Sequence, residues 1–161
     1  MEDKSRPIPL EWLAPLEWLK NISEGNTSSK LEAITMEGLQ IVNVQKGLIR
    51  CNFTVPSIVS DSDGNWQVGA MAALINCVAG ATIHTTTVGH INVTLDFTIS
   101  YHSTANIQDE VEIEAKVAGN RGRLTSVVVE VRNKKNRQLI ASGKQWARLI
   151  SSTSLKSNSK L

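Results

Sequence analysis

The stretch Gly64–Gly80, GNWQVGAMAALINCVAG, decides the fold. A glycine-led turn opens into a segment that carries Val, Ala, Met, Leu, Ile and Cys on every side from about Val68 to Ile83. Gly69, Ala70, Ala72, Ala73, Ala79 and Gly80 keep it slim, and the single strongly polar side chain well inside it is Asn76. A helix apolar all round is expected to be buried rather than to lie on a surface.

Working outward, the surroundings that could bury it read as strands. Upstream, residues 38–55, GLQIVNVQKGLIRCNFTV, give two alternating runs broken at Lys46-Gly47, a hairpin with a tight turn, followed by a loop, PSIVSDSDG. Downstream, Val93, Leu95, Phe97, Ile99 and Tyr101 alternate with Thr94, Asp96, Thr98 and Ser100, which predicts a half-buried strand with those apolar residues on one face. EVEIEAKVAG (110–119), LTSVVVEVRN (124–133) and QLIASGKQWARLI (138–150) complete the set. Short connections favour antiparallel pairing. One antiparallel sheet and one apolar helix make a core only if the sheet curls around the helix. The expected class is therefore α+β, about six strands wrapped around one central helix. A short N-terminal helix joins it: Pro15 starts it, Leu16, Leu19 and Ile22 share a face, and it ends near Gly25. Trp12 and Trp18 of this arm pack on the domain or line a ligand mouth.

Composition sets the chemical context. A chain of 161 residues, 41% hydrophobic, closes one domain. A net charge of +2 with no interleaving of basic and aromatic residues argues against nucleic acid as a ligand. No apolar run reaches the roughly 20 residues of a membrane span, and Glu2, Asp3, Lys4 and Pro7 stand where a signal peptide would need an apolar run. Cys51 and Cys77 occupy separate elements and read as small core residues. His84, His90 and His102 lack the spacing of metal ligands, so no metal is expected. The last three residues, Ser159, Lys160 and Leu161, spell the address read by the peroxisomal import receptor, which predicts a peroxisomal location. The expected layout is an N-terminal arm over 1–30, the helix-and-sheet domain over 31–151 and a flexible tail over 152–161.

The helix segment VGAMAALIN, the strand VTLDFTISYHSTA and the closing NKKNRQLIASGKQWARL, in that order and spacing, resemble the hotdog-fold thioesterases, in particular the small acyl-CoA thioesterases of the thioesterase 13-like and phenylacetate-type group. The resemblance covers about Gly38 to Ile150. It implies a homodimer or a tetramer built as a dimer of dimers, with sites shared between subunits. It also implies an acyl-CoA substrate hydrolysed to free acid and CoA, and no cofactor besides the coenzyme A of that substrate.

The same resemblance picks out site residues. The family's His-Gly-Gly at the start of the helix aligns with Gln67, Val68 and Gly69, its loop residue with Asp61, its strand Ser or Thr with Thr94, and its catalytic acid with Asn76. The backbone N–H of Val68 would polarise the thioester carbonyl. Asn76 departs from the pattern, because an amide takes no proton near pH 7 and is a poor nucleophile. Three roles stay open. Asn76 positions water or substrate while Asp61 or Asp63 supplies the base; or the pocket binds acyl-CoA without cleaving it; or Asn76 satisfies a buried backbone group. Arg121 and Arg123, in the turn GNRGRL, lie where related enzymes meet coenzyme A phosphates, with a solvated basic face as the alternative. From Arg132 onward the chain carries eight Lys or Arg and no Asp or Glu, so one end is expected to be positive.

Overall fold

Ten of the seventeen residues of the central helix are buried, while the side that carries Asn76, Gly80 and His84 is half-buried. The structure is a computed structural model that describes residue 10 and residues 13–26, 29–87 and 90–151; Trp12, Ser159, Lys160 and Leu161 lie outside these. The order is α1 (Leu13–Ser23), α2 (Lys30–Met36), β1 (Gln40–Gln45), β2 (Leu48–Thr54), a 3-10 turn at Ser57–Val59, α3 (Val68–His84), β3 (His90–Tyr101), β4 (Glu110–Arg121), β5 (Leu124–Asn133) and β6 (Leu139–Ser151). The six strands form one sheet in the order β1-β2-β4-β5-β6-β3, every neighbour antiparallel, so β1 and β3 are its edges.

The sheet curls around α3. Met71, Leu74, Ile75, Val78 and Ile83 are at most 1% exposed and meet Ile49, Ile113, Val127, Val129 and Ile140 in one core. Each such side chain contributes about 1.5–3 kcal/mol by leaving water. Gly143 on β6 permits the closest approach, since a Cβ there would stand 3.0 Å from Ile75 Cγ2. Leu16, Leu19 and Ile22 of α1 join the same core, so the arm is packed on the domain.

Two features differ from the sequence reading. The polar stretch after residue 25 contains a second helix, α2, whose N-cap Ser29 accepts the Glu32 N–H and which buries Thr35 and Met36. Seven residues are too few to be helical without tertiary packing, so periodicity carries little signal there. The second difference is in β3. Thr94 pairs with Ala147 and Asp96 with Trp146, leaving Leu95 as a bulge. An inserted residue reverses the in-out phase. Phe97 and Ile99 therefore face α3, whereas Val93 and Leu95, expected on that face, point outward and are 44% and 56% exposed. On the near side of the bulge the inward positions are His90, Asn92 and Thr94.

Candidate active site

That phase reversal makes a polar wall. His90, Asn92 and Thr94 on β3 face Asn76, Gly80 and His84, which recur every fourth residue along one side of α3. One rung is fixed directly, as Asn92 Nδ2 donates to the Gly80 carbonyl at 3.2 Å. Four helical residues rise about 6 Å and two strand residues about 6.7 Å, so the match carries to both neighbouring rungs. Asn76 thus lies level with Thr94, and His84 with His90. Ala14, Pro15 and Trp18 of α1 and Glu32 of α2 cover the space between, a groove of about 600 Å³.

The Asn76 end of the groove holds unspent hydrogen-bonding capacity. Gln145 of β6 is 1% exposed, and its Nε2 donates to Thr94 Oγ1 at 2.9 Å. Its Oε1 is buried without a partner. A buried amide oxygen left unpaired costs about 1–3 kcal/mol. The half-buried Asn76 side chain bonds to no other described residue. Among the described residues it satisfies no backbone group.

The start of α3 is built separately. Asp61 Oδ1 accepts the N–H groups of Asp63 and Asn65, both at 2.9 Å, closing the loop that delivers the helix. Those bonds, the Asn65 one first, hold the exposed Asp61 carboxyl below the usual carboxylate range. Asp61 stands in this loop and not among the groove residues. Gln67 is the N-cap, with Oε1 accepting the Ala70 N–H at 3.0 Å. A Cβ on Gly69 would meet that oxygen at 3.0 Å, so Gly69 gives the cap its room. Val68 is 53% exposed, and its carbonyl accepts the Tyr101 hydroxyl of β3 at 2.9 Å. Eight residues separate Val68 from Asn76, about 12 Å of helix. One chain therefore brings Asn76, Thr94 and Gln145 together and holds Gln67, Val68, Gly69 and Asp61 apart from them.

Arg121 and Arg123 are exposed at the β4–β5 turn, outside the groove lining. The Leu149 N–H donates to the Arg123 carbonyl, and Leu149 pairs with Asn92, so the turn sits at the His90 end of the sheet, two strands or about 10 Å away. Burial lowers the His84 pKa, favouring the neutral imidazole, and pushes both thiols, Cys51 and Cys77, up to about 12. Among the described residues no group of three or more His, Cys, Asp or Glu could hold a metal ion, and no helix is long and apolar enough to cross a membrane.

Gln145, Asn92, Glu32 and the groove-facing histidines were not singled out as site residues from the sequence. Gln145 reaches Thr94 across 51 positions. The one local signal was a glutamine on the apolar phase of the last strand.

A single curled sheet around one helix, with a polar groove between helix and edge strand, defines the hotdog fold. The sequence profile described as the thioesterase superfamily matches residues 64–140. Over that region the chain is similar in sequence to the thioesterases, and its fold is that of the hotdog thioesterases. It is 23% identical over 131 residues to acyl-coenzyme A thioesterase 13 of Homo sapiens, spanning 81% of this chain and 94% of that protein. Among solved structures it resembles zebrafish thioesterase superfamily member 2, with a TM-score of 0.76 at 20% identity, covering 88% of this chain and 99% of that one. It also resembles a Streptococcus mutans protein bound to acetyl-CoA, with a TM-score of 0.67 at 21% identity, covering 71% and 90%.

Proposed function

We propose that the chain is an acyl-CoA thioester hydrolase, cleaving a fatty or aromatic acyl-CoA to free acid and CoA. The observation that carries this is the convergence of the Asn76 amide, the Thr94 hydroxyl and the unpartnered Gln145 Oε1 at one end of a groove wide enough for an acyl group. Gln145 donates to Thr94 Oγ1, so the Thr94 hydrogen is free to point at a water or a carbonyl. A water so held stands on one side of the thioester carbonyl carbon. The N–H of Val68, at the first position of α3, suits the developing oxyanion, since the helix dipole and unpaired amides favour negative charge there.

Because Val68 and Asn76 of one chain lie about 12 Å apart, both act on one carbonyl only if two copies share each site. The geometry of β3 supports this. It is an edge strand with an exposed flank, and Tyr101 at one end anchors the start of α3, while Thr94, Asn92 and His90 toward the other end wall the groove. Antiparallel pairing of β3 with β3 in a homodimer sets the helix start of each copy against the groove of the other. Further pairing into a tetramer is compatible with the apolar outer face that Ile91, Val93 and Leu95 present. Arg121 and Arg123 are then the candidates for the CoA phosphates. Import into peroxisomes through Ser159, Lys160 and Leu161 completes the proposal.

A second reading is favoured by the neutral amide at residue 76: a homologue that binds acyl-CoA without cleaving it. Thiol release from acetyl-, hexanoyl-, palmitoyl- and phenylacetyl-CoA separates the two. Release above the buffer rate with any of them supports the hydrolase; tight binding of a non-hydrolysable analogue with no release from all four supports the binder.

A further inference from the structure

We propose that Glu32 is the general base of the groove, taking the proton from the water held at Asn76, Thr94 and Gln145. The inference rests on the hydrolytic reading and supplies the carboxylate that position 76 lacks. Glu32 is the one carboxylate among the described residues that line the groove. It is half-buried, and its carboxylate forms no hydrogen bond or ion pair with any described residue. A carboxylate at the groove that is tied up in no ion pair is available to accept a proton. Its charge reaches the groove floor, where it helps raise the pKa of the Cys77 thiol, the residue that follows Asn76.

The other acids are placed elsewhere. Asp61 and Asp63 belong to the exposed loop before α3, where Asp61 is engaged by backbone N–H groups. Asp96 lies beyond the bulge on the outward phase of β3. His84 is eight residues, about 12 Å, along α3 from Asn76 and so belongs to the far rung. The titratable groups that line the groove together with Glu32 are Cys77 and His84 of α3 and His90 of β3; α1 contributes Ala14, Pro15 and Trp18, and β6 the neutral Gln145.

The step balances simply. Glu32 accepts one proton from water as the water oxygen bonds to the thioester carbonyl carbon. The tetrahedral oxyanion then collapses, the C–S bond breaks, and the proton on Glu32 passes to the departing thiolate. One thioester and one water give one carboxylic acid and one thiol, and Glu32 ends as it began.

The test uses the full-length protein and whichever of the four acyl-CoAs above it turns over fastest. Glu32→Gln keeps shape and removes basicity, so kcat should fall about 10²–10⁴-fold, with the Kd of a non-hydrolysable analogue and the melting temperature unchanged. Glu32→Asp should retain part of the rate, and Asn76→Asp added to Glu32→Gln should restore turnover by returning a carboxylate to the groove. A Glu32→Gln protein within twofold of wild type would overturn the assignment and leave the hydrolase reading standing. A wild type that releases no thiol from any of the four substrates would overturn both. Should Glu32→Gln fail to fold, Glu32→Asp with undiminished kcat would refute the role.

Discussion

Gln145 Nε2 lies 2.9 Å from Thr94 Oγ1, and this contact turns a buried amide and a strand hydroxyl into one device. The threonine oxygen accepts, so its hydrogen is available to the groove, while the glutamine's own oxygen has no partner. Replacing Gln145 by Leu should therefore separate stability from function. Folding stability should stay within about 1 kcal/mol of wild type or rise, because the orphaned oxygen goes with the side chain. Acyl-CoA turnover should fall about 10- to 100-fold through misplacement of the water and of Thr94. Urea unfolding and steady-state kinetics on one preparation check both, and an unchanged kcat would show that this end of the groove is not the reacting end.

Gly143 is a packing glycine. A Cβ there would stand 3.0 Å from Ile75 Cγ2 and 3.8 Å from the Val129 Cβ, against the centre of α3. Gly143→Ala should destabilise by about 1–3 kcal/mol, the usual cost of overpacking a closed core. Chemical denaturation measures it. A stabilised variant would mean that helix and sheet are further apart than described.

The stability of the fold should also fall with acid earlier than the carboxylates alone require. Burial depresses the His84 pKa from its ordinary 6.5. Between the folded and unfolded values the unfolded chain binds the extra proton, so stability is full above about pH 6.5 and is lost as pH drops toward the folded value. Melting temperatures from pH 7.5 to 5 should fall more steeply in wild type than in His84→Gln. Parallel curves would place His84 in solvent.

How much of this was legible in the sequence depended on whether a residue's environment was set by its own element. The all-round apolar character of Val68–Ile83 predicts a buried helix, and the strands at 110–119 and 124–133 show their alternation plainly. The bulge at Leu95 has no such signature. Its flanks, Thr94 and Asp96, continue the alternation, and only pairing with β6 reveals the reversal that turns Asn92 and Thr94 inward. The groove is harder still to read, because α1, α2, α3, β3 and β6 each supply part of it. Asn76 and Thr94 were reachable through family resemblance. Gln145 and Glu32 needed coordinates, since nothing along the chain connects residue 32 or 145 to residue 76.

The C-terminal tripeptide makes a prediction independent of the fold. A fluorescent protein fused to the N-terminus should be directed to peroxisomes, and removal of Leu161 alone should leave it in the cytosol, because the receptor reads a free terminal Ser-Lys-Leu. Punctate import that survives the deletion would mean that the address lies elsewhere in the chain.

Under the proposed hydrolysis, each site should join the helix start of one copy to the groove of another. Val68→Pro removes the N–H at a position where proline is tolerated, and Gln67 already has the extended backbone, φ −68 and ψ 128, that precedes a proline. Gln145→Leu combined with Thr94→Val disables the groove. Each variant alone should be folded, dimeric and nearly inactive. Mixed in equal amounts and allowed to exchange subunits, they should recover about a quarter of wild-type activity, since half the dimers are mixed and each of those holds one intact site of two. A mixture that exchanges subunits yet stays as inactive as its components would contradict the account.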